Sequence, residues 1–430
     1  MKNRKKTNTV ARLSFAALAL PGLMQTATAG RTEEDYSADF QYGHYQESNR
    51  RMNVDVFDGA LSAPIGKSMT ANVGILRDII AGASPTHNVR DLNGKITQVM
   101  SQASANWCGQ TICEQRDQVT GGLTYFFDSA AVNVGGGFSR EQDYTSRFFN
   151  TNLSVDLNKK LTTLNFGGSM AFDQIEPSPG KWGSASETGG ANTTQSSSNW
   201  EYEYKNHKTT QNYLVGISQV LDKNSILQSN VTFGYSDGFL TDPYKKVGTY
   251  ATLPSIGDSY LGPINEKRPG HRFEWALLEQ YVRHFDKLNN AALHADYRFA
   301  SNDWGVDSHT FEVSWHQPIV DDWQIIPRVR FYSQTKANFY QSTLDLDPNT
   351  FLPTQSYYSS DYRLNGFGAL SGGLKLSKEI KQIKHIDSLK FQTGFEYYNH
   401  KAAYEIGGNN SQSFDSFSYT MVTASFNLKF

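Results

Sequence analysis

Apolar and polar residues alternate along the last stretch of the chain, residues 413–430, which reads SFDSFSYTMVTASFNLKF. From position 420 onward the even positions include Val422, Phe426, Leu428 and Phe430, while most of the odd positions are polar. A period of two is that of a β-strand with one face toward hydrocarbon and the other toward water. A final strand that ends on an aromatic residue is typical of an outer-membrane β-barrel. We therefore expect Phe426, Leu428 and Phe430 to form the signal that the barrel assembly machinery reads.

The same alternation predicts sixteen antiparallel strands along the chain. In residues 147–157, for example, Phe149, Leu153 and Leu157 would face lipid, while Asn152 and Ser154 would face the interior. The predicted strands are 36–46, 52–63, 68–81, 116–127, 131–143, 146–157, 161–173, 204–221, 225–238, 271–285, 290–301, 305–317, 322–338, 360–376, 387–402 and 414–430.

The lengths of the gaps between these strands predict the architecture. Every second gap is a short turn, and the intervening gaps include four long ones, at 82–115, 174–203, 239–270 and 339–359. Short turns on one rim and long loops on the other are typical of a transmembrane antiparallel β-barrel with periplasmic turns and extracellular loops. Two irregularities are expected: a longer turn at 378–386, and either a bulge or a partly buried lumen face at 275–285, where bulky residues fall on both faces.

Residues 1–29 have the organisation of a cleaved signal peptide, and residues 30–430 would form the barrel. A basic start is followed by a short apolar run and by Ala27-Thr28-Ala29, which suits a signal peptidase. Removing the segment takes away five basic residues and no acidic ones, which leaves 35 basic residues against 42 acidic ones. This balance argues against a nucleic-acid partner. We expect an exported protein of the outer membrane of a Gram-negative bacterium, in contact with lipid and lipopolysaccharide.

Charged residues concentrate on the predicted inner faces of the strands between residues 290 and 376. Two interpretations remain open: a charged constriction that selects solutes by sign, or ion pairs that only stiffen the wall. The lumen and selectivity candidates are His294, Asp296, Arg298, Glu312, His316, Arg328, Arg330, Lys336 and Arg363.

Cys108 and Cys113 are the only cysteines, and both fall in the first long loop. In an exported protein, two cysteines with four residues between them favour a disulfide. A metal or redox site is the alternative, although two thiolates are too few ligands for a closed structural site. The sequence therefore predicts a disulfide, with no metal site, no cofactor and no catalytic residues assigned.

Five stretches resemble a known family: LSAPIGKSMTANVGILRDIIAGASP (61–85), RPGHRFEWALLEQYVRHF (268–285), HADYRFASNDWGVDSHTFEVSW (294–315), PRVRFYSQTKANFY (327–340) and SSDYRLNGFGALSGGLKL (359–376). They are similar to the proteobacterial family DUF3570, a domain of unknown function whose members are taken to be outer-membrane barrels. The resemblance implies the barrel fold over most of the mature chain and no particular reaction. It also suggests an association with a periplasmic lipoprotein and with redox or metal-handling proteins of the envelope.

Three functions are consistent with these patterns. The first is a porin-like channel for a small polar or anionic solute, with selectivity from the inner-face charges. The second is a non-conducting anchor for a periplasmic or surface partner in a redox or metal-handling pathway. The third is an outer-membrane hydrolase, which would require a serine, a histidine and an acid to converge.

Overall fold

Sixteen β-strands form one closed antiparallel barrel in the computed structural model, as the alternation of residues predicts. The structure describes residues 36–82, 84–100, 113–177, 206–255, 257–383, 386–407 and 416–430. Residues 1–29 lie outside these ranges, so the signal peptide stays a prediction. No helix in the described ranges has the length and apolar character needed to cross a membrane.

Five further strands lie in the long loops, outside the barrel. In chain order the strands are β1 Ser37–Glu47, β2 Met52–Ile65, β3 Met69–Gly82, β4 Pro85–Arg90, β5 Ile96–Met100, β6 Cys113–Phe126, β7 Ala130–Arg140, β8 Tyr144–Leu157, β9 Thr162–Ile175, β10 Asn206–Asp222, β11 Ser225–Gly238, β12 Lys246–Leu253, β13 Gly257–Asn265, β14 His271–Phe285, β15 Ala291–Asn302, β16 Asp307–Pro318, β17 Trp323–Gln334, β18 Leu344–Asp345, β19 Phe367–Ile383, β20 Ile386–Lys401 and β21 Phe417–Lys429. A hairpin is formed by β4 and β5, and a small sheet has the order β13-β12-β18. The remaining strands build the barrel.

Side chains alternate between the two faces of the barrel wall as expected. On β8, Phe149 is 52% exposed on the outside while Ser154 is 2% exposed on the inside. On β11 and β20 the outward Phe233 and Phe395 are exposed in the same way. An apolar outer surface and a polar inner surface are what a barrel needs when lipid surrounds it.

Short turns join the strands at one rim, which we call the turn rim, and the opposite end is the loop rim. Asn289, Asn290, Asp321 and Asp322 adopt φ values between 51° and 59° in two of these turns. Asn and Asp tolerate this left-handed conformation, which the tight hairpin turns require. The expected longer turn at 378–386 is wrong, because β19 and β20 remain paired as far as Ile383 and Ile386.

Three other expectations are corrected. The long loops 82–115, 239–270 and 339–359 contain strands of their own. The strand expected at 360–376 begins only at Phe367 and is preceded by a 3-10 turn at Tyr362–Leu364.

No bulge occurs in β14, which pairs without a register shift with β11 and β15. The alternative expected there, a partly buried inner face, is correct, since Leu278 is half-buried and lies in register with the inward Asn230 and Arg298.

The barrel closes between its first and last strands. From Ser37 paired with Lys429 to Glu47 paired with Tyr419, β1 and β21 form an unbroken antiparallel ladder. Phe40 and Phe426 stack across this seam on the outer face, with ring centroids 5.1 Å apart. The outward positions of Phe426 and Phe430 agree with the alternation, while their role as an assembly signal stays a prediction.

Replacing Val422 with Lys tests the assignment of the faces. Val422 lies midway along β21 on the outer face and is 46% exposed. A lysine at the membrane midplane should destabilise the barrel by about 2–4 kcal/mol. Ser425→Lys is the control, because Ser425 pairs with Gln41 and Gln392 on the polar inner face. Urea titrations in lipid vesicles, followed by heat-modifiable gel mobility, measure the free energy of unfolding of each variant. Equal losses of stability in the two variants would contradict the assignment of Val422 to the outer face and Ser425 to the inner face.

Candidate functional site in the barrel lumen

Strand register aligns a continuous row of inward side chains, which we call the charged row. Its members are successive Cα partners on neighbouring strands: Gln228, Gln280, Asp296, Glu312, Arg330, Ser371, Tyr398 and Tyr419. Cross-strand partners on one face have Cβ atoms about 4.5–5.5 Å apart. The row therefore brings Asp296, Glu312 and Arg330 together as neighbours, as the sequence predicts.

Arg328 makes two ion pairs inside the barrel. Its Nη1 lies 3.6 Å from Oε1 of Glu312, and its Nη2 donates to Oε2 of Glu396. Glu396 is two strands away, and Gly373 is the residue between them in the register. Because Gly373 has no side chain, the guanidinium of Arg328 can cross β19 to reach the second carboxylate. The alternation predicts an inward position for Glu396, but Glu396 is not among the selectivity candidates chosen from the sequence.

Four inward cations lie beside this ion-paired centre. Among the described residues, Arg298, Arg330, Lys375 and Lys390 make no ion pair within 4 Å. Asp296 is contacted by the amide of Gln280, with 3.4 Å between Nε2 and Oδ1. Counting Arg328, five cations stand beside the carboxylates of Asp296, Glu312 and Glu396. Two more inward carboxylates act on these cations, Glu274 on Arg298 and Glu379 on Lys390. Each of the two is ion-paired with a further cation, Arg272 or Lys381, which makes seven cations against five carboxylates. The local charge is therefore positive.

The part of the wall that β8 to β11 form is neutral at mid-depth. On β8 to β11 the inward side chains are mainly amides and hydroxyls, which bond to one another across strands. Oγ of Ser154 donates to Oδ1 of Asn165 over 2.8 Å, and Nδ2 of Asn212 donates to Oγ of Ser169 over 3.3 Å. A solute in the lumen would therefore have a cationic wall on one side and a hydrogen-bonding wall on the other.

His294 and His316 lie together on the inner face toward the turn rim. Their rings are stacked with centroids 4.2 Å apart, and Nε2 of His316 lies 3.2 Å from Oγ of Ser314. A Ser–His contact is one part of a hydrolase triad, but no carboxylate contacts His316 among the residues that the structure describes. The convergence that a hydrolase requires is therefore incomplete here.

Two predicted lumen residues lie elsewhere. Lys336 follows the end of β17 at Gln334 and is exposed. Arg363 lies in the 3-10 turn before β19, where it pairs with Asp361. Both errors arise because the strand ends were set too far toward the loop rim. Cys108 lies outside the described residues, so its disulfide with Cys113 stays a prediction.

A cluster of inward aromatic side chains near the seam was missed. The ring of Tyr419 lies 4.6 Å from that of Tyr45 and 4.5 Å from that of Tyr398, measured between centroids. Tyr398 and Tyr419 also end the charged row. The sequence contained a signal for this cluster. These tyrosines occupy the alternate strand positions that are otherwise polar and face the lumen, where bulky aromatic residues are unexpected.

Three acidic side chains at the loop rim could contribute to a cation site. Ligand oxygens of Glu114, Glu141 and Asp143 lie within 4.8 Å of one another. Burial raises the pKa of Glu141, against the influence of Glu114 and Arg116. Asp143 accepts a hydrogen bond from the hydroxyl of Tyr244. These contacts give Asp143 a protein partner, and we assign no metal to the cluster.

The long loops fold into one layer across the loop rim, which we call the loop layer. Lys245, in the loop that follows β11, donates to Oγ of Ser84, which follows β3, over 3.1 Å. Five strands separate β3 from β11 around the wall, so the loop has to cross the opening to make this contact. On β12, Val247 and Thr249 are 0% and 1% exposed. The layer therefore has a packed interior.

Buried ion pairs hold the loop layer together. Nη2 of Arg268 lies 2.8 Å from Oδ2 of Asp361, and Nε of Arg268 lies 2.6 Å from Oε1 of Glu266. Arg363 bridges Asp361 and Asp242. Burial alone would raise the pKa of Asp361, but the neighbouring Arg363, Lys245 and Arg268 outweigh it and hold that pKa well below its usual range. Asp361 is therefore an ionised centre that joins two long loops.

A sequence model of the family described as "Protein of unknown function (DUF3570)" matches residues 10–421. No functionally curated protein matches the chain significantly.

Among solved structures, the chain is similar to CdiB from Acinetobacter baumannii, with a TM-score of 0.46, 9% identity and coverage of 92% of this chain and 60% of that one. A bacterial polysaccharide outer membrane secretin gives a TM-score of 0.44 and 7% identity, covering 93% of this chain and 99% of that one. The outer membrane protein opdK from Pseudomonas aeruginosa gives 0.39 and 8%, covering 92% and 99%.

Replacing Asp361 with Asn should loosen the loop layer. The change leaves Arg268 and Arg363 without their shared carboxylate, and breaking a buried ion pair in this way costs about 3–5 kcal/mol. Limited proteolysis of the folded barrel should show cleavage within residues 239–270 at least tenfold faster. Asp347→Asn is the matched control, because the carboxylate of Asp347 bonds only to Asn349 and Thr350 of its own turn among the residues that the structure describes. Unchanged cleavage of the Asp361 variant would show that the ion pairs do not hold the layer.

Proposed function

The chain belongs to the DUF3570 family and has an outer-membrane barrel fold, and we propose that it is a channel for a small polar or anionic solute. The observation that carries the proposal is the excess of cations on one side of the lumen. Arg298, Arg330, Lys375 and Lys390 lack ion pairs within 4 Å among the described residues. If these charges served only to stiffen the wall, each cation would be ion-paired with a carboxylate, as Arg328 is.

The arrangement supports selection by charge. Unpaired guanidinium and ammonium groups in a bore raise the local concentration of anions and lower that of cations. Arg330 is the cross-strand partner of Ser371, and Ser371 is the partner of Tyr398 on the next strand. An anion bound at Arg330 would therefore also lie near the aromatic ring of Tyr398. A carboxylate attached to a ring is therefore a solute that this wall would suit.

We place the protein in the outer membrane, with the turn rim toward the periplasm and the loop rim outside. Short turns on the periplasmic side and long loops on the extracellular side are the rule for such barrels. The signal-peptide pattern of residues 1–29 supports export by this route.

The loop layer favours a second candidate, the non-conducting anchor. A packed layer with buried residues such as Val247 and Thr249 crosses the opening that a solute would use. A partner in an envelope redox or metal-handling pathway would then bind one rim of a closed barrel. Stoichiometric recovery of a lipoprotein or flavoprotein with the barrel, together with no conductance in planar bilayers, would favour the anchor over the channel.

Neutralising two cations of the lumen tests the channel. In bilayers with a salt gradient, the wild type should conduct with an anion-selective reversal potential. Arg298→Gln combined with Arg330→Gln should move that potential toward the cation value and lower the anion-to-cation permeability ratio about threefold or more, because both guanidinium groups face the lumen. Arg283→Gln is the control, since Arg283 is exposed on the outer face and lies 3.9 Å from Asp222. A reversal potential that is the same in all three proteins would contradict charge selection.

A further inference from the structure

The outer wall near the loop rim carries arginines in positions where an apolar surface is expected. Arg77, Asp117 and Arg140 are successive outward Cα partners on β3, β6 and β7. Arg147 on β8 pairs with Phe138, which lies two residues from Arg140 on the same face. Diagonal neighbours of this kind lie about 7–8 Å apart. We call Arg77, Asp117, Arg140 and Arg147 the outer arginine patch.

The patch has two kinds of arginine. Nε of Arg77 lies 2.6 Å from Oδ1 of Asp117, and Oδ2 of Asp117 accepts a hydrogen bond of 2.7 Å from the amide of Gln115. Arg140 and Arg147 are exposed and make no ion pair within 4 Å with the residues that the structure describes. The patch therefore has three cations and one carboxylate, and its two free guanidinium groups lie side by side.

An apolar surface begins beside Arg147, at its cross-strand partner Phe138, and continues toward the middle of the barrel. Phe138, Phe149 and Val134 are 42%, 52% and 58% exposed on the outer face. Arg140 is the last residue of β7, and Arg147 is the fourth residue of β8 counted from the loop rim. In the orientation proposed above, this places both arginines at the boundary between the hydrocarbon of the outer leaflet and its headgroups.

We propose that the outer arginine patch binds the phosphate groups of lipid A, the phosphorylated glycolipid of the outer leaflet, and that the phenylalanine surface below it contacts the acyl chains. Guanidinium groups bind phosphate through paired, charge-assisted hydrogen bonds. Two neighbouring free guanidinium groups above exposed aromatic rings match a headgroup that carries phosphate on top of acyl chains. The assignment rests on the orientation proposed above, with the loop rim outside, and does not depend on whether the barrel conducts.

Interfacial arginines can also be solvated without binding a particular lipid, so the test needs a matched arginine. Arg283 is exposed on the same outer wall, but it lies two residues from the turn-rim end of β14, on the opposite leaflet. The double variant Arg140→Gln, Arg147→Gln removes the two free charges of the patch, and Arg283→Gln removes one charge at the other rim. Heat-modifiable gel mobility and β-sheet circular dichroism establish that each variant is folded.

Binding is measured by native mass spectrometry of the purified barrel in detergent, with added bisphosphorylated lipid A, dephosphorylated lipid A, phosphatidylglycerol or inorganic phosphate. The wild type and Arg283→Gln should retain bisphosphorylated lipid A, and the double variant should bind it at least about tenfold more weakly. The wild type should also bind each of the other three probes at least about tenfold more weakly than it binds bisphosphorylated lipid A. The probe comparison uses the unmodified protein, so it remains decisive if the double variant fails to fold.

Several results would overturn the proposal. Equal retention of bisphosphorylated lipid A by the double variant would show that the patch is only solvated. Equal binding of dephosphorylated lipid A would assign the contact to the acyl chains alone. Equal binding of phosphatidylglycerol or inorganic phosphate would show a general anion site in place of one for lipid A. A matching loss in Arg283→Gln would show that total surface charge, and not the patch, controls retention.

Discussion

The hydrogen-bond requirement of a polypeptide backbone in hydrocarbon governs this molecule. Each amide and carbonyl group without a partner in lipid costs several kcal/mol, so a sheet can cross a membrane only when it has no free edge. The ladder between β1 and β21 removes the last two edges. Because the wall is closed, successive side chains must alternate between lipid and lumen. The polar inner wall and the apolar outer wall both follow from this one closure.

The sequence predicts the barrel well because the alternation comes from the physics of the wall itself. The sixteen strands and the tight turns, including those built on Asn289 and Asp322, follow from local patterns of residues. The small sheet that contains β12 could not be found in the same way, because its residues are buried by contacts with distant loops. The predicted strand ends at the loop rim were wrong for a related reason. Near Arg363 the loop is folded and largely buried, so the composition of this loop resembles that of a barrel strand.

The lumen shows the same division between local and long-range information. The inward positions of Asp296, Glu312 and Arg330 follow from the period of two. The contact of Arg328 with Glu396 depends on the absence of a side chain at Gly373, on a strand that comes between them in space. A pattern along one strand cannot reveal such a gap. The tyrosine cluster at the seam likewise joins Tyr45 to Tyr419, from opposite ends of the chain.

In the orientation proposed above, the loop layer is the part of the barrel that an antibody or a phage would meet at the cell surface. Arg90, Asp258 and Asp345 come from three different loops, yet they meet in one ion-paired cluster. An antibody raised against the folded barrel would therefore recognise a discontinuous epitope, assembled from segments far apart in the chain. Short peptides copied from any one loop would be poor immunogens for intact cells, and denatured protein would lose the epitope altogether.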